Sequence, residues 1–393
     1  MKKGWEIKKI NEIVEFQRGL TYSKKDEVDF SDNVVLRSNN IDLSRNQLDF
    51  TELRFISPSI EIPENKKVKK GSLLICTANG SKIHLGKVAL IDEDYSYAFG
   101  GFMGLLKPKQ LLDSKYLFYS MTSDSYRKFI IELSDGANIN NLKYDDLGQF
   151  EIPLPPLPEQ QRIVSILDRC FTAIDKAKAN AEQNLKNAKE LFESYLHDVF
   201  ENGNWEMKTL NEISENLDSK RVPITKNVRN EGSIPYYGAS GIVDYVADYL
   251  FDEDLLCVSE DGANLLARTY PIAFSITGKT WVNNHAHVLR FKDVVSQKFV
   301  ELYLNSIKLD DFVSGMAQPK LNQKMLNKIP IPFPPLKDQQ TIVHKLDALS
   351  TETQKLEASY QQKIADLDEL KKSILQKAFS GELSDTELYE SKV

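Results

Sequence analysis

The sequence is poor in cysteine and histidine, which supply ligands and nucleophiles to many catalytic and metal sites. Its 393 residues include three cysteines and five histidines. Cys76, Cys170 and Cys257 are scattered and odd in number, which excludes a CxxC motif and a disulfide framework. No apolar run approaches the roughly eighteen residues of a membrane-spanning helix, and the first residues lack the apolar stretch of a signal peptide. We therefore expect a soluble cytoplasmic protein.

Catalytic motifs are lacking as well. Residues 80–88 resemble a phosphate-binding loop, but one residue too many separates the glycines and a valine stands where Ser or Thr would hold magnesium. His285 and His287 would face the same side of a strand, yet no third metal ligand is evident. An adenine methyltransferase needs Asn or Asp before Pro-Pro-aromatic, whereas the two Pro-Pro pairs here follow Leu154 and Phe333. The sequence predicts a protein without catalysis or a metal of its own.

The chain also lacks the positive charge that is typical of nucleic-acid-binding proteins. Its net charge is −7. The acidity lies mostly in two segments, because residues 1–150 have a net charge of +1, whereas residues 151–204 and residues 331–393 each carry −3. DNA binding would therefore need locally basic loops or positively charged partners.

An internal repeat organises the chain. The segment Trp-Glu-Ile-Lys-Lys-Ile-Asn-Glu-Ile at 5–13 recurs as Trp-Glu-Met-Lys-Thr-Leu-Asn-Glu-Ile at 205–213. The segment Ile-Pro-Leu-Pro-Pro-Leu-Pro-Glu-Gln-Gln-Arg-Ile-Val at 152–164 recurs as Ile-Pro-Phe-Pro-Pro-Leu-Lys-Asp-Gln-Gln-Thr-Ile-Val at 331–343. The stretches between these two elements differ in length, while those after the second align without a gap. An element of fixed length thus alternates with a variable one, unless the pattern is only a drifted gene duplication.

The fixed elements are predicted to be long helices. Each begins after a proline cluster and then contains neither Gly nor Pro for about forty residues, which corresponds to a helix of roughly 60 Å. A strict 4-3 spacing of apolar residues predicts that the two helices pair as an antiparallel coiled coil. The alternative is two separate surface helices, each packed on its own domain. The predicted pairing seam includes Ile163, Leu167, Ile174, Leu191, Ile342, Leu346, Leu356, Leu367 and Leu370.

The variable elements are predicted to be mixed α/β domains. Short apolar runs punctuated by Gly, Asn and Asp indicate strands at 72–76, 87–91, 254–258 and 287–291. Residues 114–133 and 296–312 are predicted to be helical. The fold class is therefore α+β, with two globular domains alternating with two long helices in a pseudo-two-fold repeat.

The duplicated Trp-Glu and Pro-Pro-Leu-x-(Glu/Asp)-Gln-Gln elements, together with Ala-Phe-Ser-Gly-Glu-Leu at 378–383, resemble specificity subunits of Type I restriction-modification enzymes. The resemblance implies target-recognition domains at 1–151 and 205–330, helical spacers at 152–204 and 331–383, and a C-terminal tail at 384–393. Each recognition domain would read one half of a split, asymmetric site in double-stranded DNA, and the helices would fix the gap between the halves.

The resemblance also implies partners. Two methyltransferase subunits would dock on the helices, and motor-endonuclease subunits would join the larger complex. S-adenosylmethionine, ATP and magnesium would belong to these partners, with no cofactor on this chain, and the partners would flip and methylate an adenine in each half-site.

Polar loops of the two domains supply the predicted DNA contacts. Their side chains suit phosphate oxygens and base edges. The predicted residues are Arg37, Asn39, Asn40, Thr77, Asn79, Ser81, Lys82, Ser259, Asn264, Arg268, Asn283 and Asn284.

Two other functions remain open at the level of the sequence. A non-catalytic scaffold that presents two modules on a coiled-coil rod would explain the acidity better than a DNA reader. A two-domain nuclease is the weaker alternative, because no carboxylate-lysine or metal cluster stands out.

Overall fold

The computed structural model describes residues 4–135, 141–315 and 318–383. Contacts divide the chain into two compact units. The first unit combines Met1–Asn180 with Lys363–Val393, and the second is Ala181–Gln362. Each unit therefore contains one globular segment and part of each long helix, so contacts group the helical spacers with the globular segments. The predicted tail at 384–393 lies outside the described residues.

The first unit begins with strands and ends in a long helix. Its strands are β1 (Glu6–Lys9), β2 (Val14–Arg18), β3 (Glu27–Val28), β4 (Val34–Leu36), β5 (Ile41–Asp42), β6 (Gln47–Leu48), β7 (Arg54–Ile56), β8 (Leu73–Cys76), β9 (Val88–Leu90), β10 (Ala98–Phe99), β11 (Met103–Pro108) and β12 (Glu151–Leu154). Its α-helices are α1 (Ile10–Ile13), α2 (Ser114–Ser120), α3 (Asp124–Asp135), α4 (Tyr144–Leu147) and the first part of α5 (Leu157–Asn202). The last part of α10 (Leu336–Ser380) also belongs to this unit.

The second unit repeats this plan. Its strands are β13 (Met207–Thr209), β14 (Glu215–Asn216), β15 (Ile234–Gly238), β16 (Gly241–Val246), β17 (Phe251–Asp252), β18 (Leu255–Ser259), β19 (Ala273–Ile276), β20 (Lys279–Val282), β21 (Ala286–Arg290) and β22 (Pro330–Pro332). Its own helices are α6 (Leu210–Ile213), α7 (Asn264–Ala267), α8 (Val294–Ser306), α9 (Gln323–Leu326) and the first part of α10 (Leu336–Ser380).

The two units share the topology of the main sheet and of a closing strand pair, whereas the strand order of their minor sheets differs. An antiparallel main sheet has the order β2-β11-β8-β9 in the first unit and β14-β21-β18-β19 in the second. Each unit also has a minor sheet with one parallel pair, which is β4 with β10 in the first unit and β15 with β20 in the second. A separate closing pair joins β1 to β12, and β13 to β22. The sequence repeat is thus a repeat of folded domains.

Each main sheet is buried on both faces, which explains the continuous apolar runs in its sequence. In β8, Leu73 and Ile75 pack with the helices, while Leu74 and Cys76 pack toward the minor sheet. In β18, Leu256 and Val258 face the helices, whereas Leu255 and Cys257 face the minor sheet. The alternation follows from successive side chains of a strand pointing to opposite faces.

The four predicted strands are present as β8, β9, β18 and β21, each within one residue of its predicted ends. The helix predicted at 114–133 is two helices, because Ser123 interrupts it. The Ser123 hydroxyl accepts from the amide of Tyr126 at 3.3 Å and so begins α3. The helix predicted at 296–312 begins two residues earlier, after its cap Asp293, and ends at Ser306.

The two long helices have 46 and 45 residues. Within the first unit, the start of α5 and the end of α10 run antiparallel. Lys178 Nζ lies 2.7 Å from Asp368 Oδ1, and Lys371 Nζ lies 3.0 Å from Asp175 Oδ1, so positions further along one helix meet positions further back on the other. Both segments also bury apolar residues in the core of the globular part. The predicted pairing is present together with packing of each helix on its domain.

A 4-3 spacing uses two positions of each heptad. The position that contains Leu167, Ile174, Leu346 and Leu367 has the right phase. Ile163, Leu167, Ile174 and Leu346 are buried, and Ile342 and Leu367 are partly buried, as predicted. Leu191, Leu356 and Leu370 are wrong, because their exposed fractions are 51%, 42% and 43%.

The other heptad position lies one residue away from the predicted one. Phe171 is buried, whereas Cys170, which the 4-3 spacing also places in the predicted seam, is only half-buried, and half-buried Lys371 stands in place of Leu370. Lysine stems pack along the seam while their charges reach aspartates, which a count of apolar residues does not register.

Among the described residues, the structure has no helix that is both long enough and apolar enough to cross a membrane.

The corrected phase predicts unequal effects for two leucines of α10. Leu346→Ala removes a fully buried side chain from the second unit and should lower the free energy of unfolding by about 3 kcal/mol. Leu356→Ala, the matched control, removes an exposed side chain and should change it by about 0.5 kcal/mol or less. Chemical denaturation of the purified chain measures both. Equal losses would show that the predicted seam was right.

Candidate nucleic-acid interface

Loops at one edge of the main sheet form a cluster in the first unit. The last residue of β8, Cys76, pairs with the first residue of β11, Met103. The loop after β8 therefore lies beside the loop before β11. The amides of Thr77 and Ala78 both donate to the carbonyl of Phe102, at 3.0 and 3.1 Å.

Two further loops join this first loop cluster. Asn79 Nδ2 donates to Ser38 Oγ at 2.9 Å, so the loops predicted at 37–40 and 77–82 do meet. The loop after β2 also lies close, since a Cβ added to Gly19 would stand 2.0 Å from the carbonyl oxygen of Gly100. Only glycine permits this approach of two main chains.

The second unit carries the same arrangement at the same sheet edge. The last residue of β18, Ser259, pairs with the first residue of β21, Ala286. In this second loop cluster, the amide of Glu260 donates to the carbonyl of His285 at 2.9 Å. Residue 261 forms a bridge with Lys320, as residue 78 does with Asn141. The two clusters have the same main-chain framework and different side chains.

Six of the predicted contact residues use polar groups in hydrogen bonds within the protein. Asn40 is buried, and its amide group donates to the carbonyls of Asp49 at 2.8 Å and Glu52 at 3.0 Å. Its oxygen accepts from the amide of Arg37 at 2.8 Å. Residues with a comparable internal role are Thr77, Ser259, Asn264, Arg268 and Asn283.

Asn264 and Arg268 show what these internal roles are. The Asn264 oxygen accepts from the amides of Thr269 and Tyr270, and its nitrogen donates to the Tyr270 carbonyl at 2.8 Å. Arg268 adopts a left-handed conformation with φ of 52°, and its guanidinium donates to the carbonyls of Leu304 and Ile307 at the end of α8. Both side chains hold the loop in shape, which argues against direct base contact by either of them.

The remaining predicted residues are more accessible. Asn39, Ser81, Lys82 and Asn284 are exposed, whereas Arg37 and Asn79 are half-buried. Lys82 Nζ donates to the carbonyl of Ser134 at 3.0 Å, which places its charge beside the end of α3. DNA contact by these six residues stays a prediction.

A buried ion network lies beneath the second loop cluster and was not predicted from the sequence. His287 Nδ1 is 2.5 Å from Asp218 Oδ2, and His287 Nε2 is 2.7 Å from the carbonyl of Leu321. Arg221 reaches Asp218 at 3.3 Å and Glu260 at 2.7 Å. Because Glu260 is the first residue of the loop, the network connects the loop to the sheet beneath it.

The network favours ionised carboxylates. Burial alone would raise the pKa of the Asp218 carboxyl, but the hydrogen bond and charge of His287, the Val288 amide and Arg221 hold it below its usual value. Burial would likewise raise the pKa of Glu260, and Arg221, His287 and Lys320 lower it.

The same three side chains have the composition of a metal site, since ligand atoms of Asp218, Glu260 and His287 lie within 4.8 Å of one another. Arg221 and Lys320 already supply positive charge to these carboxylates, so the geometry fits an ion network better than a cation site. The two histidines considered from the sequence do not share a site. His287 is buried here, whereas His285 is half-exposed and pairs with Asp261 at 2.8 Å.

A duplicated α+β unit with a polar loop cluster at the same sheet edge, combined with paired long helices, defines a class of two-site binding proteins. The chain belongs to the family of Type I restriction modification DNA specificity domains, whose model matches residues 2–186 and again residues 202–366.

Several known proteins are similar over nearly the whole chain. The Type I restriction enzyme EcoKI specificity subunit of Escherichia coli K12 is 26% identical over 97% of this chain and 89% of its own length. The StySPI specificity subunit of Salmonella potsdam is 24% identical over 97% of this chain and 89% of its own length. The HsdS subunit from Thermoanaerobacter tengcongensis has the same fold, with a TM-score of 0.63 and 19% identity over 98% of each chain. A chain from a study of the assembly and conformational transition of the type I R-M system has a TM-score of 0.75, with 19% identity over 98% of this chain and 99% of its own.

Two asparagines of the second unit should respond differently to alanine. Asn264→Ala removes the bonds that shape its loop and should lower the free energy of unfolding by about 1–3 kcal/mol. Asn284→Ala removes an exposed side chain and should leave stability within about 0.5 kcal/mol. Thermal unfolding compares the two variants, and equal stability would refute the internal role of Asn264.

The ion network predicts a stability difference that depends on pH. Asp218→Asn should destabilise the second unit by about 3–5 kcal/mol at neutral pH, because His287 and Arg221 lose a buried partner. The pKa of Asp218 is lowered on folding, so its contribution is present above the usual value of 3.8 and is lost as the pH falls through the lower, folded value. Unfolding of both proteins between pH 7 and pH 3 measures this. A difference that stays constant over the whole range would contradict the assignment, and Glu206→Gln on the surface is the control.

Proposed function

We propose that this chain reads the DNA sequence for a Type I restriction-modification complex, with each loop cluster reading one half of a bipartite, asymmetric site in double-stranded DNA. The observation that carries the proposal is that two loop clusters share one main-chain framework and differ in their side chains. A fixed framework with changed content suits two readers of different sequences. Membership of the DNA specificity family supports it.

The helices are proposed to set the distance between the half-sites and to dock two methyltransferase subunits. Repeated surfaces support two copies of one partner. Ile7 and Met207 occupy equivalent positions in the repeat, and both are exposed. Leu157 and Leu336 are a second equivalent pair, and both are exposed as well. Exposed apolar residues that recur at equivalent positions suit identical partners. Motor-endonuclease subunits would join this core.

The chain itself is proposed to be non-catalytic. S-adenosylmethionine, ATP and magnesium are assigned to the partners, because the sequence carries no Asn/Asp-Pro-Pro-aromatic motif and no phosphate-binding loop. Partner subunits would also supply the positive charge that the complex needs for DNA.

The net charge of −7 is the observation that favours the second candidate, a protein-interaction scaffold. The two functions differ in their response to salt. A DNA reader in complex with its methyltransferase loses affinity steeply as salt rises, because phosphate contacts release counterions. A scaffold shows no salt-dependent DNA binding in the same complex.

Adenine methylation provides the direct test. Long-read sequencing of cells with this chain and its methyltransferase should show a split motif with a fixed gap, and deletion of the chain should remove it. The methylation should return when the chain is supplied in trans. An unchanged methylome in the deletion, with the methyltransferase active, would refute the specificity function in favour of the scaffold.

A further inference from the structure

One backbone position recurs in both loop clusters with a different side chain in each unit. Phe102 immediately precedes β11, and His285 immediately precedes β21. The following residues, Met103 and Ala286, pair with the ends of β8 and β18. The carbonyl of Phe102 accepts a hydrogen bond from the amide of the first residue after β8 at 3.0 Å, and the carbonyl of His285 accepts one from the amide of the first residue after β18 at 2.9 Å. Register and hydrogen bonding thus make Phe102 and His285 equivalent.

Phe102 presents an apolar ring from a fixed main chain. Its carbonyl accepts from two amides and, at 3.0 Å, from the hydroxyl of Thr77, while 75% of the residue is exposed. The neighbouring loop is polar, with Asn79 and Ser81 on it, and includes the exposed Ile83. A ring held on a rigid loop loses little conformational freedom when it binds.

His285 presents a polar ring from the same place. Its Nδ1 lies 3.0 and 2.8 Å from the two carboxylate oxygens of Asp261, and about half of its side chain is exposed. Because Asp261 holds Nδ1, Nε2 is the ring nitrogen left to face a ligand. The partner carboxylate therefore fixes both the orientation of the ring and the atom that it offers.

We propose that these two residues are equivalent base-reading positions, which rests on the proposed function. Phe102 packs against the 5-methyl group of a thymine in one half-site, and His285 hydrogen-bonds a base edge through Nε2 in the other. Among the four bases, only thymine offers a methyl group in the major groove, where an apolar ring finds a specific partner. Equivalent positions on one framework approach equivalent places on DNA, so the different side chains select different bases.

The test uses the complete complex of this chain with its methyltransferase subunits. Binding is measured by competition against duplexes that change one base pair of the methylated motif at a time. The variants are Phe102→Ala and His285→Ala. Phe30→Ala is the matched control, since Phe30 is equally exposed at 76% and its ring packs on Phe55.

Phe102→Ala should lower discrimination by about tenfold at a single position of one half-site, and His285→Ala should do the same in the other half-site only. Each variant thereby has an internal control in the half-site that it leaves unchanged. Replacing thymine by uracil at the affected position removes only the methyl group. That change should weaken binding of the wild type by a similar factor and leave Phe102→Ala unaffected.

Two results would overturn the proposal. One is discrimination within twofold of wild type at every position, and the other is a uniform loss across both half-sites, as expected for a general phosphate contact. Thermal unfolding is recorded for each variant, and exposed side chains should leave it unchanged. If the wild-type complex methylates no bipartite motif, the proposed function fails first, which separates that failure from the failure of this inference.

Discussion

Each globular segment depends on a pair of short strands that holds its two ends together. Glu6 pairs with Leu154 in the first unit, and Met207 pairs with Pro332 in the second. The chain therefore enters each domain beside the strand that leads into a long helix. Whatever lies between the two closing strands begins and ends at one place, so the segments can differ in length without moving the start of the helix. This closure explains how a fixed element can alternate with a variable one.

The helix starts are fixed by the same sequence element. Gln160 and Gln339 are equivalent and buried, and their side-chain nitrogens donate to the carbonyls of Pro155 at 2.8 Å and Pro334 at 2.7 Å. Proline removes an amide donor from the main chain but leaves its carbonyl in need of a partner. The glutamine supplies this partner, which gives a physical reason for the recurrence of Pro-Pro-Leu-x-(Glu/Asp)-Gln-Gln.

Beneath the loop clusters, the two units fill one space in different ways. His287 of the second unit corresponds to Gly104 of the first, because each follows the residue that pairs with the end of the neighbouring strand. A Cβ at Gly104 would lie 2.6 Å from the hydroxyl of Tyr144, so an aromatic ring occupies the space that the ion network takes in the second unit. Both solutions support the loop from below. The loops thus keep one framework although their supports have diverged.

The sequence alone determined the repeat, the fold class, the positions of four of the eight main-sheet strands and the family, because periodicity, proline placement and recurring motifs are local properties of the chain. The phase of the helix seam required the tertiary structure, since Lys178 and Lys371 pack there with aspartates from the other helix. The roles of Asn40 and Asn264 also required the tertiary structure, because the sequence of a polar loop does not show whether a side chain binds DNA or its own main chain. The equivalence of Phe102 and His285 was also hidden in the sequence. It depends on hydrogen bonds between strands far apart in the chain, and these exist only once the sheet has formed.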